Sequence, residues 1–163
     1  MTRSKTVVTG LTLAVSAALV SAWTASSSAQ GGRPVIQRMN PPGLSTPTGY
    51  SHVVSARGGR TVYIAGQVAL DAKGQLVGDG DLAAQTRQVF ANLETALKAA
   101  GATFNDVVKM NTYMRDATQL QVYRDARAKV FTKDLPASTL VEVPRLANPG
   151  FLIEIEVIAV VAE

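Results

Sequence analysis

The sequence predicts an α+β domain, with elements in the order β-β-α-β-α-β-β and two helices covering one face of a mostly antiparallel sheet. Three observations predict it. Apolar and β-branched runs alternating with period two occur at 51–56, 61–70, 107–114 and twice after Pro136. Two stretches, led by Asp81 and Thr118, instead repeat their apolar residues every three or four positions, the spacing of a helix face. The last run, Phe151-Leu-Ile-Glu-Ile-Glu-Val-Ile-Ala-Val, places Phe151, Ile153, Ile155 and Val157 on one face. Glu154 and Glu156 stand on the other face, about 6.8 Å apart.

The chain opens with sequence of another kind. Arg3 and Lys5 precede an apolar run over 7–22, and Ser27-Ser28-Ala29 offers a small-x-small cleavage site before Gln30. This is the pattern of a secretory signal peptide over 1–29, and it implies a periplasmic or secreted protein with no stable membrane insertion after cleavage. The run is short for a membrane span and lacks a cationic stop. No cysteine follows it, so a lipidated anchor is excluded, as are disulfides and thiol nucleophiles anywhere in the chain. Loss of Arg3 and Lys5 leaves 14 of the 16 basic residues against 12 acidic ones, a formal charge of +2. With no Lys/Arg cluster interleaved with aromatics, nucleic acid is not an expected partner.

Residues 30–49, with Pro34, Pro41, Pro42 and Pro47, read as an extended arm without periodicity, and the domain proper as 50–163. Arg57-Gly-Gly-Arg joins the first two strands as a hairpin signal, and Asp71-Ala-Lys-Gly-Gln is a second turn. Asp81 suits an N-cap, since its carboxylate can accept from first-turn amides. Leu82, Thr86, Val89, Phe90, Leu93, Leu97 and Ala100 share one helical face, and Gly101 supplies the stop. The strand at 107–114 alternates Val108, Met110, Thr112 and Met114 with Val107, Lys109, Asn111 and Tyr113. A second helix over 118–132 turns Leu120, Tyr123, Arg127, Val130 and Phe131 inward, and two strands joined through Asn148, Pro149 and Gly150 complete the domain. Two helices cover one sheet face. The other must be solvated or buried against another chain.

Several polar residues invite a chemical reading. His52, the only histidine, shares a face with Tyr50, but it has no nucleophile or metal partner in the sequence, so it reads as a hydrogen-bonded structural residue. Gln67 and Asn92 read as polar residues that fasten turns and helix ends, and Glu142 as a cross-strand contact. Gly58-Gly59 and Gly78-Asp-Gly lack the spacing of a phosphate loop. No cofactor motif and no metal-ligand set stands out.

Taken in order, Tyr50-Ser-His-Val-Val, Tyr63-Ile-Ala-Gly-Gln-Val, Asp81…Gln85…Phe90-Ala-Asn-Leu, Ala100-Gly-Ala-Thr, Asp106-Val-Val-Lys, Pro136-Ala-Ser-Thr-Leu-Val-Glu-Val and Ile153-Glu-Ile-Glu-Val-Ile-Ala resemble the RidA (YjgF) family over roughly 39–161. The resemblance implies a RidA/chorismate-mutase-like fold, a homotrimeric barrel, and a small-molecule pocket at each subunit interface. It also implies hydrolytic deamination of small imines or enamines. The family's site maps onto Tyr50, Gly66 and, as the water-positioning carboxylate, Glu156. Leu140 stands at the family's small or thiol-bearing position, and Arg124 at that of a pocket asparagine. Ser138 occupies the position of the arginine that binds the substrate carboxylate in deaminating members. One neutral hydroxyl cannot replace a charged fork. Either the substrate lacks a carboxylate there or another cation, Arg124 or Arg145, supplies the charge. Members without the arginine also make a non-catalytic binding or regulatory module an alternative.

Overall fold

The computed structural model describes residues 32–163, so the leader expected over 1–29 lies outside the described residues. The elements are β1 (Val35–Met39), β2 (Val53–Arg57), β3 (Arg60–Gln67), α1 (Leu82–Ala99), β4 (Val107–Met114), α2 (Leu120–Ala128), β5 (Ala137–Glu142) and β6 (Ile153–Val161). Single 3₁₀ turns at Phe104–Asp106 and Ala117–Gln119 lead into β4 and α2. The main sheet runs β3-β6-β4-β5: β6 pairs antiparallel with both β3 and β4, and β5 lies parallel to β4. A mostly antiparallel sheet with two helices on one face is the architecture expected from the sequence.

Period two decides which residues the helices cover. Val62 and Ile64 on β3, Met110, Thr112 and Met114 on β4, and Ile153, Ile155, Val157 and Ala159 on β6 are all buried. They meet Leu82, Val89, Phe90, Leu93 and Leu97 of α1 and Tyr123 of α2 in one core. Burial of each large apolar side chain contributes about 1.5–3 kcal/mol. Phe90, Phe104 and Phe131 close one end edge to face, with centroids 5.2–6.4 Å apart. Among the described residues the opposite face carries no helix, and Tyr63 stands there 77% exposed at one edge of the sheet, with Val141 at 41% on the other edge strand.

α1 begins where Asp81 accepts from the Ala84 amide and ends before Gly101, whose φ of +72° is open to glycine. Gln85, fully buried, ties α1 to the chain on both sides of it. Its amide donates to the Gly78 and Gly150 carbonyls, and its carbonyl accepts from the Leu152 N–H. Asn92 donates to the carbonyls of Val68 and Leu70, the fastening role read from the sequence.

The structure corrects the sequence reading at five points. The arm over 30–49 contains β1, which pairs antiparallel with β2. Its flanking prolines hid a strand that needs a partner on only one edge. Because β2 is taken by β1 and β3 by β6, Arg57-Gly-Gly-Arg joins two sheets and closes no hydrogen-bonded hairpin. The strand read as 61–70 stops at Gln67, after a register shift between Ile64 and Gln67. The second helix is shorter than 118–132, its first turn being 3₁₀ and its end falling at Ala128. Finally, the hydrogen bond of the Glu142 carboxylate among the described residues runs not to a neighbouring strand but from the Ala117 N–H, so that it caps the turn before α2.

Candidate functional site

Tyr50, Arg124, Ser138 and Leu140 line a single cavity of about 250 Å³, together with Thr48, Leu120, Tyr123 and Arg127. Register explains the convergence. Ser138 lies opposite Met110, and Leu140 opposite Thr112, both on the helix-covered face, so the β5 side chains point under α2. The chain before β2 is drawn alongside β5: the Ser51 N–H donates to the Pro136 carbonyl at 3.0 Å, and the Ser51 hydroxyl to the Leu135 carbonyl at 2.7 Å. This brings Tyr50 to the cavity wall. Gly49 is required there, because its φ is +81° and a Cβ would strike the Arg127 guanidinium.

The carboxylates stand elsewhere. Glu156 is paired in register with Asn111, and Glu154 with Tyr113, on the face without helices. Asn111 donates to Glu156 Oε1 at 2.7 Å, and the Tyr113 hydroxyl donates to the same oxygen at 3.3 Å. Burial, and then the neighbouring Glu156 carboxylate, push the Tyr113 phenol above its ordinary value of 10.0, with Glu154 adding to the effect. Glu156 also borders an open-face cavity of about 370 Å³ with Lys109, Asn111 and Tyr63. Glu154 leans on Gly66, where any Cβ would collide with its carboxylate. Glutamate 154 and glycine 66 therefore fit as a pair, and no hydrogen bond to Glu154's carboxylate is made among the described residues.

The six residues singled out in the sequence thus form two groups on opposite faces of one sheet. Tyr50, Arg124, Ser138 and Leu140 come together under α2. Gly66 and Glu156 lie away from that cavity. Arg145 joins neither group and borders a separate cavity with Arg115 and Pro149. The His52 ring packs edge-on against Tyr50 and shares a hydrogen bond with the Ser45 carbonyl at 2.8 Å, as a structural histidine does. Sequence reasoning passed over two residues. Glu154 shares a strand face with Glu156, yet the family's site pattern assigns the carboxylate role to Glu156 alone. Arg127 was read only as an inward helix position, yet an arginine on the apolar side of an amphipathic helix is itself a signal.

A helix-backed sheet with a polar cavity at one edge and carboxylates on its bare face is an α+β scaffold with room for a small molecule. Residues 43–161 match the family model described as endoribonuclease L-PSP, and the chain belongs to that family, which includes the RidA (YjgF) proteins. It is 40% identical over 110 residues to a RutC family protein of Pyrococcus horikoshii, covering 68% of this chain and 85% of the relative. It is 38% identical over 129 residues to the mouse 2-iminobutanoate/2-iminopropanoate deaminase, covering 78% of this chain and 91% of that enzyme. The structure of a Rid-family protein of unknown function from Yersinia pestis superposes with a TM-score of 0.73 at 42% identity, covering 77% of this chain and 98% of that one.

Proposed function

We propose that this protein is an exported homotrimer whose pockets form between subunits, and that it hydrolyses small imines or enamines with a substrate preference altered by Ser138. The observation that carries the reading is the division of the site residues between the two faces of one sheet. A single subunit holds the Tyr50–Ser138 cavity and the Gly66–Glu154 pair apart. A neighbour docked on the bare face brings one subunit's carboxylates to the other's cavity, and it also covers Tyr63. The imine deaminases among the relatives support the reaction class.

Water adds to the carbon of the C=N bond while a glutamate takes its proton and passes it to the nitrogen; the resulting amino alcohol then collapses, its hydroxyl proton moving to the nitrogen by the same carboxylate, to a carbonyl compound and ammonia. Glu154 suits the water-holding role better than Glu156, whose Oε1 already accepts from Asn111 and Tyr113. General-base assistance of this kind contributes about 10²–10⁴-fold. The test is an assay in which an amino-acid oxidase generates the imine and its disappearance is followed. Glu154→Gln is expected to lower turnover by about a hundredfold or more, and Glu156→Gln by less. Loss of activity in Glu156→Gln alone would return the role to Glu156. A second reading, a ligand-binding module without catalysis, is favoured by Ser138 at the arginine position; wild type inactive on every imine tried would establish it.

A further inference from the structure

Arg127 is a buried cation without a counter-ion. Its residue is only 8% exposed, and among the described residues it forms neither an ion pair nor a side-chain hydrogen bond. Its guanidinium lies 5.7 Å from the Tyr123 ring centroid and against Gly49, and it borders the cavity under α2. No aspartate or glutamate borders that cavity. A second arginine, Arg124, does so from an exposed position on the same helix, while Thr48, Tyr50 and Ser138 add hydroxyl groups. Its nitrogens are not sealed off, the one fully buried side-chain nitrogen without a partner among the described residues being Nε of Arg38. The Arg127 guanidinium instead faces the cavity with donors to spare, and it keeps its charge at any pH at which proteins fold. The Tyr123 ring face, one turn back along α2, gives it a cation–π contact but no fork of acceptors.

We infer that Arg127 is the anchor of an oxyanion site in this cavity, whose ligand is a small molecule bearing a carboxylate or a comparable inorganic oxyanion. The five donors of a guanidinium match two oxygens of such a group side by side. Tyr50 and Ser138 are placed to donate to the same anion, and Arg124 at the rim draws it in. The charge that Ser138 lacks is thus supplied from the helix instead of the strand. This rests on the reading of the cavity as the ligand pocket, but it needs no catalysis.

Calorimetric titration of the purified protein at constant ionic strength tests it, with sodium pyruvate, its neutral amide and inorganic phosphate as probes. Pyruvate is expected to bind and the amide not to. Arg127→Met should weaken pyruvate at least about tenfold, the difference between a charge-assisted pair and neutral contacts. Phosphate binding as tightly as pyruvate would assign the site to inorganic oxyanions. Ser138→Asp guards against misfolding of the first variant. It places a carboxylate beside Arg127, and should raise the melting temperature without ligand while abolishing binding of either anion. Unchanged binding in Arg127→Met, unchanged binding in Ser138→Asp, or no binding of pyruvate or phosphate to wild type each overturns the proposal. Failure here and failure of the deaminase reading are separable. Arg127-dependent pyruvate binding without imine turnover removes the enzyme and leaves the site, whereas turnover indifferent to Arg127→Met does the reverse.

Discussion

Charge placement at single residues makes the most specific claims. Ser138→Arg in the unchanged chain sets another guanidinium in the cavity that Arg127 and Arg124 already border, so repulsion offsets any gain. Combined with Arg127→Met, it restores one buried cation from the strand side. Pyruvate affinity of the double variant is expected within about tenfold of wild type, by calorimetry, if one bidentate pair sets binding. On the bare face, burial and then the Glu156 carboxylate hold the Tyr113 phenol above its ordinary value. Glu156→Gln should bring that titration down toward 10.0, as read from the tyrosine ring carbon in NMR spectra. Much of this was legible as residue type and little of it as position. Ser138's departure stood out at once, and Tyr50, Arg124 and Leu140 do gather around it. What alternation could not reveal is that Ser138 and Glu156 face opposite ways. That depends on the register of β5 against β4 and of β4 against β6, which no local pattern encodes.

Elements rest on their caps and cross-links. Gln85→Ala leaves the Leu152 N–H and two carbonyl groups without their partner in the interior, and should cost about 1–3 kcal/mol in urea unfolding. Asp116 accepts from the Thr118 side chain, from Gln119 and from the Thr118 N–H, and these bonds hold its carboxyl below its ordinary value of 3.8. A depressed carboxyl stabilises the fold above its unfolded value, and that contribution is lost as pH falls through the folded one. Asp116→Asn should therefore lower the melting temperature near neutrality and match wild type in acid. The strongest sequence signals at this scale were β4, recovered with its boundaries, and α1 with its Asp81 cap. β1 escaped because prolines flank it, and α2 shrank because its first turn is 3₁₀. The pairing of strands was less legible still: the last two look like neighbours in the sequence, yet β4 lies between them.

At the scale of the whole fold, one face of the sheet lacks a cover among the described residues, and we expect association to supply it. Light scattering should give three times the mass of one chain, and Tyr63→Asp, placing a charge at the most exposed aromatic of that face, should shift the mass toward a single chain. Mass spectrometry of protein recovered from the periplasm or medium of a producing cell is expected to show Gln30 at the amino end; full-length chain retained in the cytoplasm would count against export. The position of β6 bears on how such a journey is made. The sheet's central seam, with Ile153, Ile155, Val157 and Ala159 in the core, is filled by β6, the last of the described strands to emerge in synthesis. Until residues 153–161 leave the ribosome, β3 and β4 have no common partner, and the long-range pairings that close the sheet cannot form. The nascent chain therefore has no closed sheet until β6 emerges, and protease digestion of ribosome-stalled chains lacking 153–161 should find β3 and β4 unprotected. Export of the kind we propose needs an unfolded chain, and a sheet that cannot close before β6 emerges leaves the chain threadable until then.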